Sequence, residues 1–173
     1  MTQKEYQMEE QIKRWNIVAI GIFVILTVLA IRCLDARDIQ LQYLSLGDFM
    51  ILALAIMRVI RLIAYDNITL FLREAFLDVK TVRYAEEGEE FIERVPSENS
   101  LKRTISKLLN CPWCLGVWVA LFVLYFALVY PSLWIIFVLL ALSGVASLIQ
   151  IAANLMGWNA EYRKLATEKI TDK

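Results

Sequence analysis

The chain has 173 residues, 59% of them hydrophobic, with 18 basic and 18 acidic residues and so no formal net charge. Bulk charge therefore points to neither nucleic acid nor an acidic substrate, and the absence of any histidine removes the commonest general base, metal ligand and near-neutral pH switch. Three cysteines, Cys33, Cys111 and Cys114, are too few for a secreted disulfide scaffold.

Residues 1–14 are polar and mixed in charge, ending on Lys13 and Arg14. The apolar run from Trp15 to Ile31 follows. It is a little short, but 17–25 residues span a bilayer when flanking side chains reach the headgroups. It reads as an uncleaved signal-anchor helix, since no A-x-A-like cleavage site follows it. Cys33 reads as a bystander at its far end. Leu34 to Tyr43 is a short polar connection. A second span is expected from about Leu44 to Ala64, with Asp48 near its start and Arg58 and Arg61 on one face of its second half.

Residues 65–110 form the long polar stretch. Asp66 can cap a helix running through Ile68, Leu70, Phe71, Leu72, Ala75, Phe76 and Val79, an apolar stripe suited to a membrane interface. Thr81–Tyr84 and Phe91–Val95 are β-prone and flank the acidic Glu86–Glu90, where Gly88 can supply the turn of a hairpin. A lone hairpin is marginal in water, so this one must lean on the bundle or on another copy. A basic helix then starts at Ser97 or Ser100 and ends at Asn110. Leu101, Ile105, Leu108 and Leu109 lie on one of its faces and Lys102, Arg103 and Lys107 on the rest.

Leu115 to Met156 is one apolar stretch about twice the length of a single span. Pro131 is its natural break, because a proline disfavours helix in the residue before it. This predicts a tight hairpin of spans three and four within residues 111–157, with Gly157 ending the last helix and a charged tail over residues 158–173. The expected fold is an all-α membrane protein of four transmembrane helices, with a helix–β-hairpin–helix insertion between spans two and three.

Basic residues outside the spans set the orientation. Lys4, Lys13, Arg14, Arg73, Lys80, Arg83, Arg94, Lys102, Arg103, Lys107, Arg163, Lys164, Lys169 and Lys173 fall on one side, and Arg32 and Arg37 on the other. Both termini and the middle segment are therefore expected in the cytoplasm.

Cys111-Pro112-Trp113-Cys114 is the sharpest candidate for chemistry. Proline favours the first helical turn and leaves Cys111 at the cap, where backbone N–H groups and the helix dipole can lower a thiol pKa. The alternative is a helix start with two packing cysteines. No thioredoxin-like βαβ pattern surrounds the motif, and two thiolates fall short of the four ligands of a structural zinc. Arg58 and Arg61 are costly inside a bilayer. They read either as snorkelling or pairing with Asp66, or as a site for an anionic lipid headgroup or ion. Ser143, Ser147, Gln150 and Asn154 lie on one helical stripe, and Gly116 and Ala120 form a small-xxx-small pair. Both are features of helix packing in lipid, within one bundle or between copies. No P-loop, Rossmann glycine pattern, G-x-S-x-G or H-E-x-x-H motif occurs.

Two segments, A-L-A-I-M-R-V-I-R-L-I-A-Y-D-N-I-T (Ala53 to Thr69) and L-K-R-T-I-S-K-L-L-N-C-P-W-C-L-G-V-W-V-A (Leu101 to Ala120), resemble a family of small bacterial membrane proteins known only as a domain of unknown function. Its marks are an R-x-x-R-L…D-x-I segment and a C-P-x-C-x-G-x-W-V-A segment. The resemblance covers roughly Leu44 to Asn154. It makes Arg58, Arg61, Asp66, Cys111, Cys114, Gly116 and Trp118 the family-marking positions, and it implies no activity. The expected function is an oligomerising anchor or assembly subunit of the bacterial inner membrane, without catalysis or cofactor. Its expected partners are membrane lipids, further copies of itself and another protein met through the cytoplasmic segment. The rival readings are a channel or transporter-like element using Arg58, Arg61 and the polar stripe, and a dithiol oxidoreductase using Cys111 and Cys114.

Overall fold

A computed structural model describes residues 3–39, 44–83 and 90–171. The chain is mostly helical. Helix α1 spans Gln3–Ala36, α2 Leu46–Ala64, α3 Leu70–Glu74, α4 Ser100–Leu109, α5 Pro112–Val129 and α6 Trp134–Thr171. Strands β1 (Leu77–Arg83) and β2 (Glu90–Pro96) form an antiparallel hairpin, in register from Leu77 opposite Pro96 to Arg83 opposite Glu90. Three segments, Tyr6–Ala36, Pro112–Val129 and Pro131–Lys164, are long and apolar enough to cross a membrane.

Helix α2 organises the packing. It lies against both α5 and α6, and Ala55 (0% exposed) and Leu52 (3%) are its most buried residues. Around them gather Leu115, Val119, Val123 and Ala127, a stripe at four-residue spacing on α5, with Phe137 from α6. Two glycines allow the close approach. A Cβ at Gly144 of α6 would stand 2.9 Å from the Leu54 carbonyl oxygen of α2, and one at Gly116 of α5 would stand 3.2 Å from Ile60 Cδ1. The tight Pro131 connection does join α5 to α6, but the richest packing of each is with α2. The expected self-contained hairpin of spans three and four is thus opened to admit α2 between its arms.

Helix α1 packs against α4 and α5. Trp15 Nε1 donates to Ser100 Oγ at 3.2 Å, Phe23 meets Trp118 edge-on at 5.2 Å, and Tyr125 Oη donates to Cys33 Sγ at 3.2 Å. Contacts advancing together along both helices mean that α1 and α5 run in the same direction. The start of α1, α4 and the start of α5 therefore share one end of the molecule.

Several helix ends depart from expectation. The helix predicted from Asp66 through Val79 is only a 3-10 turn, Asn67–Thr69, followed by the short α3. Leu77 and Val79 instead belong to β1. Val79 stands three and four residues from Phe76 and Ala75, which suits a helix face, but two from Leu77, which suits a strand, and the pairing with β2 decides it. The basic helix is capped by Asn99, whose side chain accepts from the Leu101 and Lys102 N–H groups. Ser100 is its first helical residue, and Ser97 lies buried before it. Gly157 does not end the last helix, since α6 continues to Thr171. A glycine inside a helix costs only about 1 kcal/mol against alanine, too little to stop one flanked by good helix formers. The hairpin leans on α3 and α4. Arg94 pairs with Glu74, and Lys102 Nζ lies 3.9 Å from Asp78 Oδ1. The expected turn at Gly88 and most of the acidic tip lie outside the described residues.

Candidate functional site

Two groups of side chains stand at the shared end of the bundle. The first closes the C-terminus of α2. A helix ends with carbonyls that have no partner inside it. The Arg61 carbonyl accepts from the Tyr65 and Asp66 N–H groups. The Leu62 carbonyl accepts from Thr69 Oγ1. The Ile63 carbonyl accepts from Arg73 Nη1 at 3.0 Å, while Arg73 Nη2 donates to the Asp66 carbonyl at 3.1 Å. Arg73 is only 8% exposed, and its charge sits where the helix dipole favours a cation. The chain reversal after α2 brings it there, since the 3-10 turn and α3 fold α3 back onto the end of α2.

Arg58 and Asp66 also meet at this point, with Arg58 Nη1 3.0 Å from Asp66 Oδ2 and both side chains mostly buried. Asp66 precedes the 3-10 turn but makes no side-chain cap there; its carboxylate serves Arg58 instead. Arg61 lies over the Tyr65 ring, 5.9 Å from its centroid, as a cation–π contact. Asp48, at the other end of α2, forms a capping box with Ser45: Asp48 Oδ2 accepts from the Ser45 N–H at 2.8 Å and Ser45 Oγ from the Asp48 N–H at 3.2 Å.

The second group is the cysteine pair. Cys111 is the N-cap of α5, with Pro112 in the first turn, and its Sγ accepts from the Cys114 N–H at 3.4 Å. The two sulfurs are 2.8 Å apart and both thiols are free. Hydrogen bonding from the Cys114 side chain, and then from its backbone, holds the Cys111 thiol below the usual range. Cys111 and Cys114 line a groove of about 450 Å³ between α1, α4 and α5, walled by Trp15, Val18, Ile22, Ile105, Leu108 and Trp118, with Lys107 also lining it. Trp113, between the cysteines, is 87% exposed. Cys33 stands some 18 residues along α1 from Trp15, roughly 27 Å at the helical rise, and takes no part.

On α6, Ser147 Oγ donates to the Ser143 carbonyl at 2.9 Å, and Gln150 Nε2 donates to Asn154 Oδ1 at 3.1 Å. The serines are half-buried and the two amide residues exposed. Gly116 is committed to α2 through Ile60; Ala120 is half-buried on the same helix. The structure thus brings Arg58 and Asp66 together, and Cys111 and Cys114 together, but neither pair with the α6 stripe. Arg73 and Gly144 were not legible as site residues. Arg73 looked like one more basic residue of a cytoplasmic segment, and its spacing from α2 gives no sign of the reversal. Gly144 sits one residue from Ser143 and is hidden by the polar stripe beside it.

One relative, the "Sporulation protein YjcA" of Bacillus subtilis (strain 168), is 36% identical over 103 residues, 58% of this chain and 85% of its own. The "UPF0713 protein YngL" of the same organism is 32% identical over 112 residues, 64% of this chain and 82% of its own. No solved structure matches the chain. Residues 51–153 match a family described as "Protein of unknown function (DUF1360)", a stretch that takes in most of α2, Arg73, the cysteine pair and most of the apolar part of α6. The chain belongs to that family, DUF1360, as its R-x-x-R-L…D-x-I and C-P-x-C segments led one to expect.

Proposed function

We propose that the chain is an oligomerising anchor or assembly subunit of the bacterial inner membrane, crossing four times with both termini in the cytoplasm. The observation that carries this reading is the amide pair on α6. Gln150 and Asn154 are exposed in the apolar stretch of α6 before Gly157, and they hydrogen-bond to each other. An amide in hydrocarbon retains unused donors and acceptors, and a neighbouring copy or partner helix is the usual means of satisfying them. The fourth crossing is α2. It packs against both α5 and α6 while Leu46, Phe49 and Met50 stay exposed on its outer side, and its charged groups have neighbours: Asp48 in a cap, Arg58 with Asp66, and Arg61 over the Tyr65 ring. The basic residues concentrated at one end support the orientation. The sporulation role in one relative's name makes a developmental membrane assembly a reasonable setting.

The test is the mass of the complex in detergent or nanodiscs, with all co-purifying proteins identified. The reading expects a multiple of the 20.0 kDa chain, or a defined partner, with Gln150→Leu together with Asn154→Leu shifting the population toward single copies. A wild-type protein that is monomeric and alone in nanodiscs at every concentration would overturn it.

A further inference from the structure

We propose that Cys111 and Cys114 form a thiol–disulfide exchange centre, acting on a disulfide that reaches them through the groove between α1 and α4. The inference is independent of the assembly reading. It rests on three observations. The sulfurs lie 2.8 Å apart, so closing to the 2.03–2.05 Å of an S–S bond needs under 1 Å of movement. Both thiols face the same groove, which gives an outside molecule a route to them. They are also separated from Cys33 by up to about half the length of α1, so the pair can only resolve within itself. Metal binding fits less well, because among the described residues no three Cys, Asp or Glu side chains stand together.

The chemistry is a two-step exchange. The Cys111 thiolate, stabilised by the Cys114 N–H and thiol, attacks one sulfur of the incoming disulfide. That S–S bond breaks, and the departing thiolate takes up a proton. Cys114 then gives its proton to solvent and its thiolate attacks Cys111 Sγ, releasing the second thiolate, which is protonated in turn. The incoming disulfide is reduced to two thiols, and Cys111 and Cys114 are oxidised to a disulfide. A low-molecular-weight or protein thiol reductant then returns the pair to the dithiol state. The lowered Cys111 pKa increases the thiolate fraction, and Cys114, one helical turn along, is placed to resolve the intermediate.

Oxidised glutathione serves as the probe, with full-length protein in detergent and a Cys33→Ser background so that only the pair is read. Intact mass should show the pair passing to an internal disulfide without lasting adduct. Cys114→Ser should trap a glutathione mixed disulfide at Cys111, while Cys111→Ser should react at least about tenfold more slowly. Alkylation of Cys111 in the Cys114→Ser variant should stay fast to lower pH than that of an ordinary thiol, the Cys114 N–H remaining as a donor. Serine is itself a good helix cap at position 111 and a near-isosteric replacement at the exposed position 114, so both variants should keep the fold, and circular dichroism checks this. Equal rates in the two single variants, or a wild-type pair that carries two glutathiones at once, would overturn the proposal. Neither outcome depends on the mass of the complex.

Discussion

Replacing Arg73 by alanine removes the donor to the Ile63 carbonyl in the last turn of α2, and a second bond to the Asp66 carbonyl just beyond the helix. Its guanidinium makes two charge-assisted hydrogen bonds, to the Ile63 and Asp66 carbonyls, from a side chain that is 8% exposed. Each such bond contributes about 1.5–3 kcal/mol net, so the ceiling is near 6 kcal/mol. The true loss is smaller. The Asp66 carbonyl can share the Thr69 hydroxyl, 3.2 Å away and already bonded to the Leu62 carbonyl, so the Ile63 carbonyl is the main orphan. With the helix–dipole term of about 0.5 kcal/mol, the expected cost is about 3 kcal/mol, or roughly a hundredfold in the unfolding equilibrium. Arg73→Lys keeps the charge but cannot span both carbonyls, and should cost about half as much. Tryptophan fluorescence during denaturant titration in mixed micelles measures both. An Arg73→Ala protein within about 0.5 kcal/mol of wild type would refute the clamp.

The two glycines of α6 should respond in opposite directions in the same titration. Gly144→Ala forces its Cβ to 2.9 Å from a backbone oxygen of α2 and should cost about 1–3 kcal/mol. Gly157→Ala meets nothing within 4 Å and should stabilise α6 by up to about 1 kcal/mol, read as slower amide exchange beyond Trp158. Asn99→Ala deletes the cap of α4 and should cost about 0.5–2 kcal/mol, visible as faster exchange at the Leu101 and Lys102 amides.

Elements whose cause is local were legible. Pro112 and Pro131 mark the start of α5 and the break before α6, and the Cys111 cap follows from the proline beside it. The β-prone run Phe91–Val95 falls within β2, whereas β1 begins at Leu77, four residues before the expected Thr81 and inside the stretch expected to be helical. The pairing of Arg58 with Asp66 was one of two open readings, eight residues apart and so about two turns along a helix. What stayed hidden depends on how the chain turns back in space. Arg73 acquires its role only when α3 folds against the end of α2. α2 itself, moderately charged and short, gives no sign that it lies between α5 and α6. The continuation of α6 past Gly157 follows from the good helix formers in 160–169, which outweigh one glycine on an exposed helix.

The most direct test of the four-crossing account is thiol labelling of intact cells with a membrane-impermeant reagent. Single cysteines would be introduced as Arg37→Cys, between α1 and α2, and Glu161→Cys, on the exposed end of α6, in a cysteine-free chain. The account predicts that Arg37→Cys is labelled in intact cells and Glu161→Cys only after permeabilisation. Labelling of Glu161→Cys in intact cells would contradict it, meaning an inverted orientation if Arg37→Cys is protected and an α2 that does not cross if both are labelled.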